Sequence, residues 1–280
     1  MTTTEIDFLN LIDSLGDRII GTERSLKISA SSFDAGRLLC GVDSKGINCN
    51  EFIKKLSPFN PSKNCLEWLQ DQWDKSNFLY LAIESADTKI LFNESLPEIG
   101  LVKSNPVIKV YLEFPVLLST QTNDIIVHGE KALWCTGYKW SPHTFKERVT
   151  HYYLRPDLNL TRLNDLDVFK KLLTHDQHNL TLLSHYLRQQ NQELIESIDI
   201  LEVDNPLGSK GIDLRLYSLN KRVQEIAHVV HDIFPLLAHH PNYPIFNQYV
   251  LEKNQQYIGH ISLGYDLVMA HFTFYWEFMK

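Results

Sequence analysis

Cationic excess, paired cysteines and long apolar runs are all missing from this sequence, and each absence closes off a class of function. Asp and Glu outnumber Lys and Arg by 34 to 27, giving a formal net charge of −7 and a pI near 5.9. That balance argues against nucleic acid or an anionic membrane as a partner. The 4 cysteines, Cys40, Cys49, Cys65 and Cys135, show neither paired metal spacing nor a dense disulfide framework. Reduced thiols in a cytoplasmic protein are the expectation. No basic-then-apolar leader is legible, and no apolar run reaches membrane-spanning length. Gly, Ser and Pro nowhere gather into a linker, so residues 1–280 read as one domain.

What is present is a repeated strand cadence. Ile212-Asp213-Leu214-Arg215-Leu216-Tyr217-Ser218-Leu219 alternates polar and apolar residues with period two, as a strand with one wet and one greasy face does. The wet face carries Asp213, Arg215 and Tyr217. The same cadence puts Lys109 with Tyr111, Arg148 with Thr150 and Tyr152, and Thr273 with Tyr275. Arg37, heading Arg37-Leu38-Leu39-Cys40, adds a fifth polar contributor.

Read in order, the chain opens with a short amphipathic helix over 6–15, then strands over 25–31 and 37–43 around the turn Ser32-Phe33-Asp34-Ala35-Gly36. Helices follow over 51–56 and from Ser62 as N-cap through Asp74. Strands are expected over 78–83 and 107–114, the latter stopped by Pro115, and over 132–140 and 148–154. Helical patterns return over 166–173 and 180–190, a strand pair over 196–203 and 212–219, and a helix over 222–234 that Pro235 ends. The last strand pair is 257–263 and 271–278. Hairpins alternate with helices about five times. A (β/α)₈ barrel needs single strands between helices, so the expected fold is α+β: a ten-stranded antiparallel β-barrel ringed by helices, wide enough for a ligand-filled lumen.

Lys109-x-Tyr111, Arg215-x-Tyr217 and Thr273-x-Tyr275 on alternate strands resemble the Lys/Arg-x-Tyr signature of the ABBA (αββα) aromatic prenyltransferases, over roughly residues 25–280. The first hairpin and the end, Ile258-Gly259-His260 … Phe274-Tyr275-Trp276, are similar to cyanobacterial members, the cyanobactin peptide prenyltransferases and the ambiguine-type indole prenyltransferases. The resemblance implies a PT barrel of repeated αββα units that binds an allylic diphosphate and an aromatic nucleophile in its lumen. It also implies a glutamate on the first strand of many members acting on tryptophan or tyrosine; the matching position here is Lys27.

The chemistry expected of the residues follows. Breaking an allylic C–O bond leaves a diphosphate, stabilised by fixed cations for which Arg37, Lys109 and Arg215 stand first, with Lys139 and Arg148 beside them. Tyr111, Tyr152, Tyr217 and Tyr275 are expected to form one layer that shields the carbocation. A base for the acceptor's proton is sought among inward acids, Glu113 first and Asp43 next, with Asp213 and Glu277 on the same parity. Trp134, Tyr138 and Trp140 are candidates for the acceptor seat. The expected function is transfer of a dimethylallyl or geranyl group to an indole, or to an aromatic or heteroatom side chain of a natural product or cyclic peptide.

Asp-Asp-x-x-Asp, the magnesium clamp of helical terpene synthases, is absent; no cofactor is required, although Mg²⁺ could bridge diphosphate to a side chain. No metal site is assigned. His228-x-x-His231-Asp232 has ligand spacing but sits on an ordinary amphipathic helix. The competing reading is a non-catalytic barrel that binds an anionic amphipathic ligand such as a lipid or tetrapyrrole.

Overall fold

A computed structural model describes residues 2–29, 32–84, 89–91, 105–115, 131–144, 146–156, 158, 189, 198–204, 210–225, 248, 251–252, 255–265 and 270–278. Three helices and eleven strands follow one another in the described chain: α1 (Thr3–Leu15), β1 (Ile19–Ser29), β2 (Ser32–Asp43), α2 (Cys49–Leu56), α3 (Lys63–Trp73), β3 (Phe78–Glu84), β4 (Lys89–Leu91), β5 (Val107–Glu113), β6 (Ala132–Trp140), β7 (Glu147–Leu154), β8 (Asp199–Asp204), β9 (Lys210–Arg215), β10 (Ile258–Tyr265) and β11 (Ala270–Phe278). The expected helix over 166–173, all but residue 189 of that over 180–190, and most of 222–234 lie outside the described residues, as do His228, His231 and Asp232. Among the described residues no helix is long and apolar enough to cross a membrane.

The strands close. Their order is β1-β11-β10-β9-β8-β7-β6-β5-β3-β2, and β2 pairs back onto β1, making an antiparallel ring of ten; β4 adds a short edge beside Ser32–Asp34. Alternation along each strand then divides side chains between lumen and outer layer.

The outer layer on β2, β3, β5 and β6 explains the helices. Thr2 caps α1 in a capping box with Glu5, and Ser62 caps α3, as its spacing predicts. Phe8 and Leu11 of α1, Phe52 and Leu56 of α2, and Leu69 and Trp73 of α3 pack with Cys40, Val42, Leu79, Leu81, Ile108 and Val110 from the strands. Tyr138 and Trp140 belong to this core. The Trp140 indole N–H donates to the Phe59 carbonyl at 2.8 Å, and the Tyr138 ring lies 5.3 Å from Trp68. They face away from the lumen and do not seat an acceptor. The reason is a bulge between Leu133 and Cys135, which resets the alternation so that Trp134 points inward while Tyr138 and Trp140, of the same parity, point out.

Two strand ends also differ from the periodicity. β1 begins at Ile19, not Ser25, which brings Glu23 into the barrel wall. β9 ends at Arg215: the Leu216 N–H bonds the Gly259 carbonyl, Tyr217–Leu219 turns as a 3₁₀ helix, and Asn220 closes it at φ 49°. Tyr217 is therefore on a turn, not in the ladder. The expected turn over 32–36 is strand, with a register shift between Ser25 and Lys27.

Close approach of β9 and β10 pairs Gly211 with Gly264. A Cβ on Gly211 would meet the Leu263 carbonyl oxygen at 2.6 Å, whereas at Gly21 nothing lies within 4 Å. Gly211→Ala is expected to lower stability by about 1–3 kcal/mol and Gly21→Ala to leave it nearly unchanged, measured as urea unfolding midpoints.

Candidate active site

The lumen holds a cavity of about 750 Å³, part of it open to solvent. The polar groups of the barrel interior are sorted by end, and Lys139 and Arg148 carry the cationic row past the residues that line the cavity.

One end is cationic. Arg37, Glu84 and Lys109 come from adjacent strands β2, β3 and β5, and Lys109 continues in register to Lys139 on β6 and Arg148 on β7. Glu84 Oε1 lies 2.7 Å from an Arg37 guanidinium nitrogen and accepts a hydrogen bond from the Lys109 ammonium as well. Burial alone would raise the Glu84 carboxyl, but Lys109 and Arg37 overcome it and hold it well below the usual carboxylate range. Burial and the Arg37 charge together push Lys109 down, against the pull of Glu84. Burial pushes Lys139 down to about 8; Glu84 opposes that shift, and Arg148, Lys27 and Arg37 add to it. Among the described residues neither Lys139 nor Arg148 has a carboxylate within ion-pair distance, and the Arg148 Nε is buried without a hydrogen-bond partner.

The middle is aromatic. The Tyr111 and Tyr152 rings meet edge to face at 5.9 Å, and Tyr111 lies over Gly137, where a Cβ would come within 2.5 Å of the ring. Tyr275 lines the cavity as well; the His260 imidazole stacks on its face at 3.7 Å, and Arg37 sits 5.7 Å from its centroid.

The other end joins acids to an imidazole. His260 Nδ1 lies 2.8 Å from Asp213 Oδ1, its Nε2 lies 3.2 Å from Glu23 Oε2, and Ser262 donates to Asp213 Oδ2 at 2.5 Å. The Tyr217 hydroxyl donates to the remaining Glu23 oxygen. Burial would lower the His260 pKa, but Asp213 and Glu23 raise it to about 9; in turn His260 keeps Glu23 low despite burial. Arg215 lies here, 4.5 Å over the Trp134 ring and 5.3 Å from Tyr217.

Register separates Arg215 from the cationic end. Gly211 pairs with Val203 and Val203 with Tyr152; Arg215 and Arg148 lie four residues to opposite sides of that row, roughly 25 Å apart along the strands. The structure does not group Arg215 with Arg148, because the register of β9 in the barrel wall carries it to the other end. Glu113 accepts from the Tyr80 hydroxyl at 2.6 Å behind the Arg215 end, and burial raises its pKa. Asp43 is not in the cavity: at the end of β2 it accepts the Lys45 backbone N–H at 3.0 Å and serves a turn.

No protein-family model and no curated protein matches the chain by sequence. Solved structures do match by shape. A 6-dimethylallyl tryptophan synthase superposes with a TM-score of 0.55 at 11% identity, covering 97% of this chain and 90% of its own. The 6-dimethylallyltryptophan synthase of Micromonospora olivasterospora, in complex with DMASPP and Trp, gives 0.52 at 12% identity over 91% of this chain and 81% of its own. AnaPT from Neosartorya fischeri gives 0.51 at 13% identity over 91% and 78%. The chain folds as a PT barrel.

Within this PT barrel the periodicity overlooked Glu23, Tyr80, Glu84 and His260, all lining the cavity. Each had a signal: Tyr80 and Glu84 share parity with Ala82, Glu23 with Ser25, and His260 with Ser262. A strand boundary drawn one or more residues short hid Glu84 and Glu23.

The raised His260 pKa makes a stability statement. Its contribution is fully present below the ordinary histidine value and is lost as pH rises through about 9. His260→Gln is therefore expected to be destabilised most at pH 6, with the gap to the parent closing above about 9, read as thermal midpoints across that range.

Proposed function

We propose that this chain transfers a prenyl group from an allylic diphosphate to an electron-rich aromatic acceptor. The observation that carries the reading is the split lumen: a cationic row, Lys109 buried and Lys139 and Arg148 half-buried, the last two without carboxylate partners among the described residues, divided by tyrosine rings from an acid–imidazole end. The buried Arg148 Nε, which has no hydrogen-bond partner, is costly to leave so and would be completed by an anion. Cations fixed where negative charge develops lower the barrier to C–O cleavage.

In this mechanism Arg37, Lys109, Lys139 and Arg148 hold the diphosphate. The C–O bond breaks, and the leaving electron pair stays on the diphosphate oxygen. Tyr111 and Tyr152 keep water from the allylic cation and stabilise it through their π-faces. The acceptor lies toward Trp134, where Glu23 accepts its hydrogen bond; Glu23 thus supplies from β1 the glutamate that Lys27 does not. Four fixed cations do the work of a divalent metal, so Mg²⁺ is not required.

The dimethylallyl group and indole-bearing acceptors are the first donor and acceptor to try, since a synthase of the same fold was solved with DMASPP and Trp. Geranyl diphosphate and aromatic side chains of cyclic peptides come next. A passive binder of anionic amphiphiles fits less well, because Glu23 and Asp213 would repel its head group and serve no purpose at its tail.

Turnover of dimethylallyl and geranyl diphosphates with indole, tryptophan and cyclic peptides, in EDTA, tests the reading; absence of any prenylated product overturns it. Lys109→Ala is expected to lower turnover about a hundredfold, and Arg215→Ala to leave inorganic diphosphate affinity within about twofold, both measured alongside calorimetric binding. Because Lys139 is held near 8, diphosphate affinity should fall as pH rises past that value with proton uptake on binding, and Lys139→Met should flatten the dependence.

A further inference from the structure

Proton disposal is the one requirement of aromatic substitution that the mechanism above leaves open. A prenylated ring carbon still bears its hydrogen, and the positive charge remains on the ring until that proton goes. Glu23 is the carboxylate in position to take it, but a protonated Glu23 at the wall of a water-poor lumen must be emptied before the next turnover.

The geometry around Glu23 offers a way out. One of its oxygens faces the His260 Nε2 at 3.2 Å, and the other accepts from Tyr217, a residue 36% exposed on the turn after β9. His260 is itself clamped by Asp213 at 2.8 Å and stacked on Tyr275 at 3.7 Å. The groups that face the imidazole are therefore Glu23 from β1, Asp213 from β9, Tyr275 from β11 and Tyr217 from the turn after β9. Space for the pair is reserved at Gly259 on β10: a Cβ there would stand 2.8 Å from the Tyr217 ring and 2.9 Å from Glu23 Oε1.

Resting on the prenyl-transfer reading, we infer that Glu23 takes the acceptor's ring proton and passes it to solvent through Tyr217, with Asp213 and His260 as the positioning pair that returns Glu23 to its anionic form. The ring C–H bond breaks, and its electron pair restores the aromatic sextet. The proton goes to Glu23; Glu23 then donates to the Tyr217 oxygen as the tyrosine's own proton passes to water at the rim. His260 is an imidazolium and Asp213 a carboxylate before and after. A protonated Glu23 loses its attraction to His260⁺, which favours release of the proton. His260, already cationic at neutral pH, cannot itself be the base.

The test compares the parent with Tyr217→Phe and Gly259→Ala, two changes that leave every charge in place. Dimethylallyl diphosphate is supplied with ring-deuterated and ordinary indole, or with whichever aromatic acceptor of the panel is turned over. The expected result is that diphosphate release continues, with the allylic cation that the acceptor does not keep captured by water as the prenyl alcohol, while prenylated product falls about ten- to a hundredfold, and that a primary isotope effect absent in the parent appears in both variants. Unchanged product-to-diphosphate ratio and isotope effect in both would overturn the relay while leaving prenyl transfer intact. Absence of product from the parent itself would instead overturn the reading beneath it. Independently of any acceptor, ¹⁵N-histidine NMR should find His260 protonated at pH 8 in the parent and neutral in Asp213→Asn; an imidazole neutral at that pH in the parent removes the positioning pair.

Discussion

Because β1 hydrogen-bonds to β2 along one edge and to β11 along the other, the ten-strand sheet has no free edge and its inward side chains face one another. Closure is what turns polar alternation, common on any surface strand, into a shared interior. It withdraws Arg37, Lys109, Glu84, Asp213 and His260 from bulk water, so that their mutual interactions are felt at low dielectric. It also brings Glu23 and Ser25 of the first strand, β1, opposite residues more than two hundred positions later in the chain, as in the Ser25–Tyr275 and Glu23–Glu277 pairings.

Charge inside such a barrel must be arranged, or repulsion and desolvation would undo the fold. Two arrangements meet the requirement here. At the acid end the two described carboxylates have partners: Asp213 and Glu23 share His260, and Tyr217 and Ser262 complete their hydrogen bonds. At the cationic end, among the described residues, Arg37 and Lys109 share a carboxylate, Glu84, and Lys139 and Arg148 extend the same row without one. A protein that retains this imbalance in its interior gives up stability that an anion in the lumen would restore, and the imbalance is what directs the functional reading toward a highly charged leaving group.

Legibility followed burial. Helices α1 and α3 and strands β3 and β5 were readable because one face of each is apolar at the right period, and Ser62 marked a helix start through cap chemistry alone. The lumen-facing assignments of Lys109, Tyr111, Arg148 and Tyr152 came from the same alternation. Errors arose where a local irregularity interrupts it. One extra residue between Leu133 and Cys135 turned Tyr138 and Trp140 into core while leaving Trp134 inside, and a 3₁₀ turn over Tyr217–Leu219, closed by the left-handed Asn220, took Tyr217 out of the strand. Asp43 has inward parity, but parity says nothing about where along the barrel axis a strand runs out.

The amino-acid sequence by itself determined the period of each segment, and hence a hairpin-and-helix protein whose strands carry cations and tyrosines on one face. Period is a property of neighbours in the chain. Which of those groups meet was decided only by the tertiary structure, through strand register and barrel stagger: these set Arg215 apart from Arg148, joined Glu84 to two cations, and assembled Glu23, Asp213 and His260 from three strands. Nothing local encodes such pairings, because they depend on how far each strand slides before the ring closes.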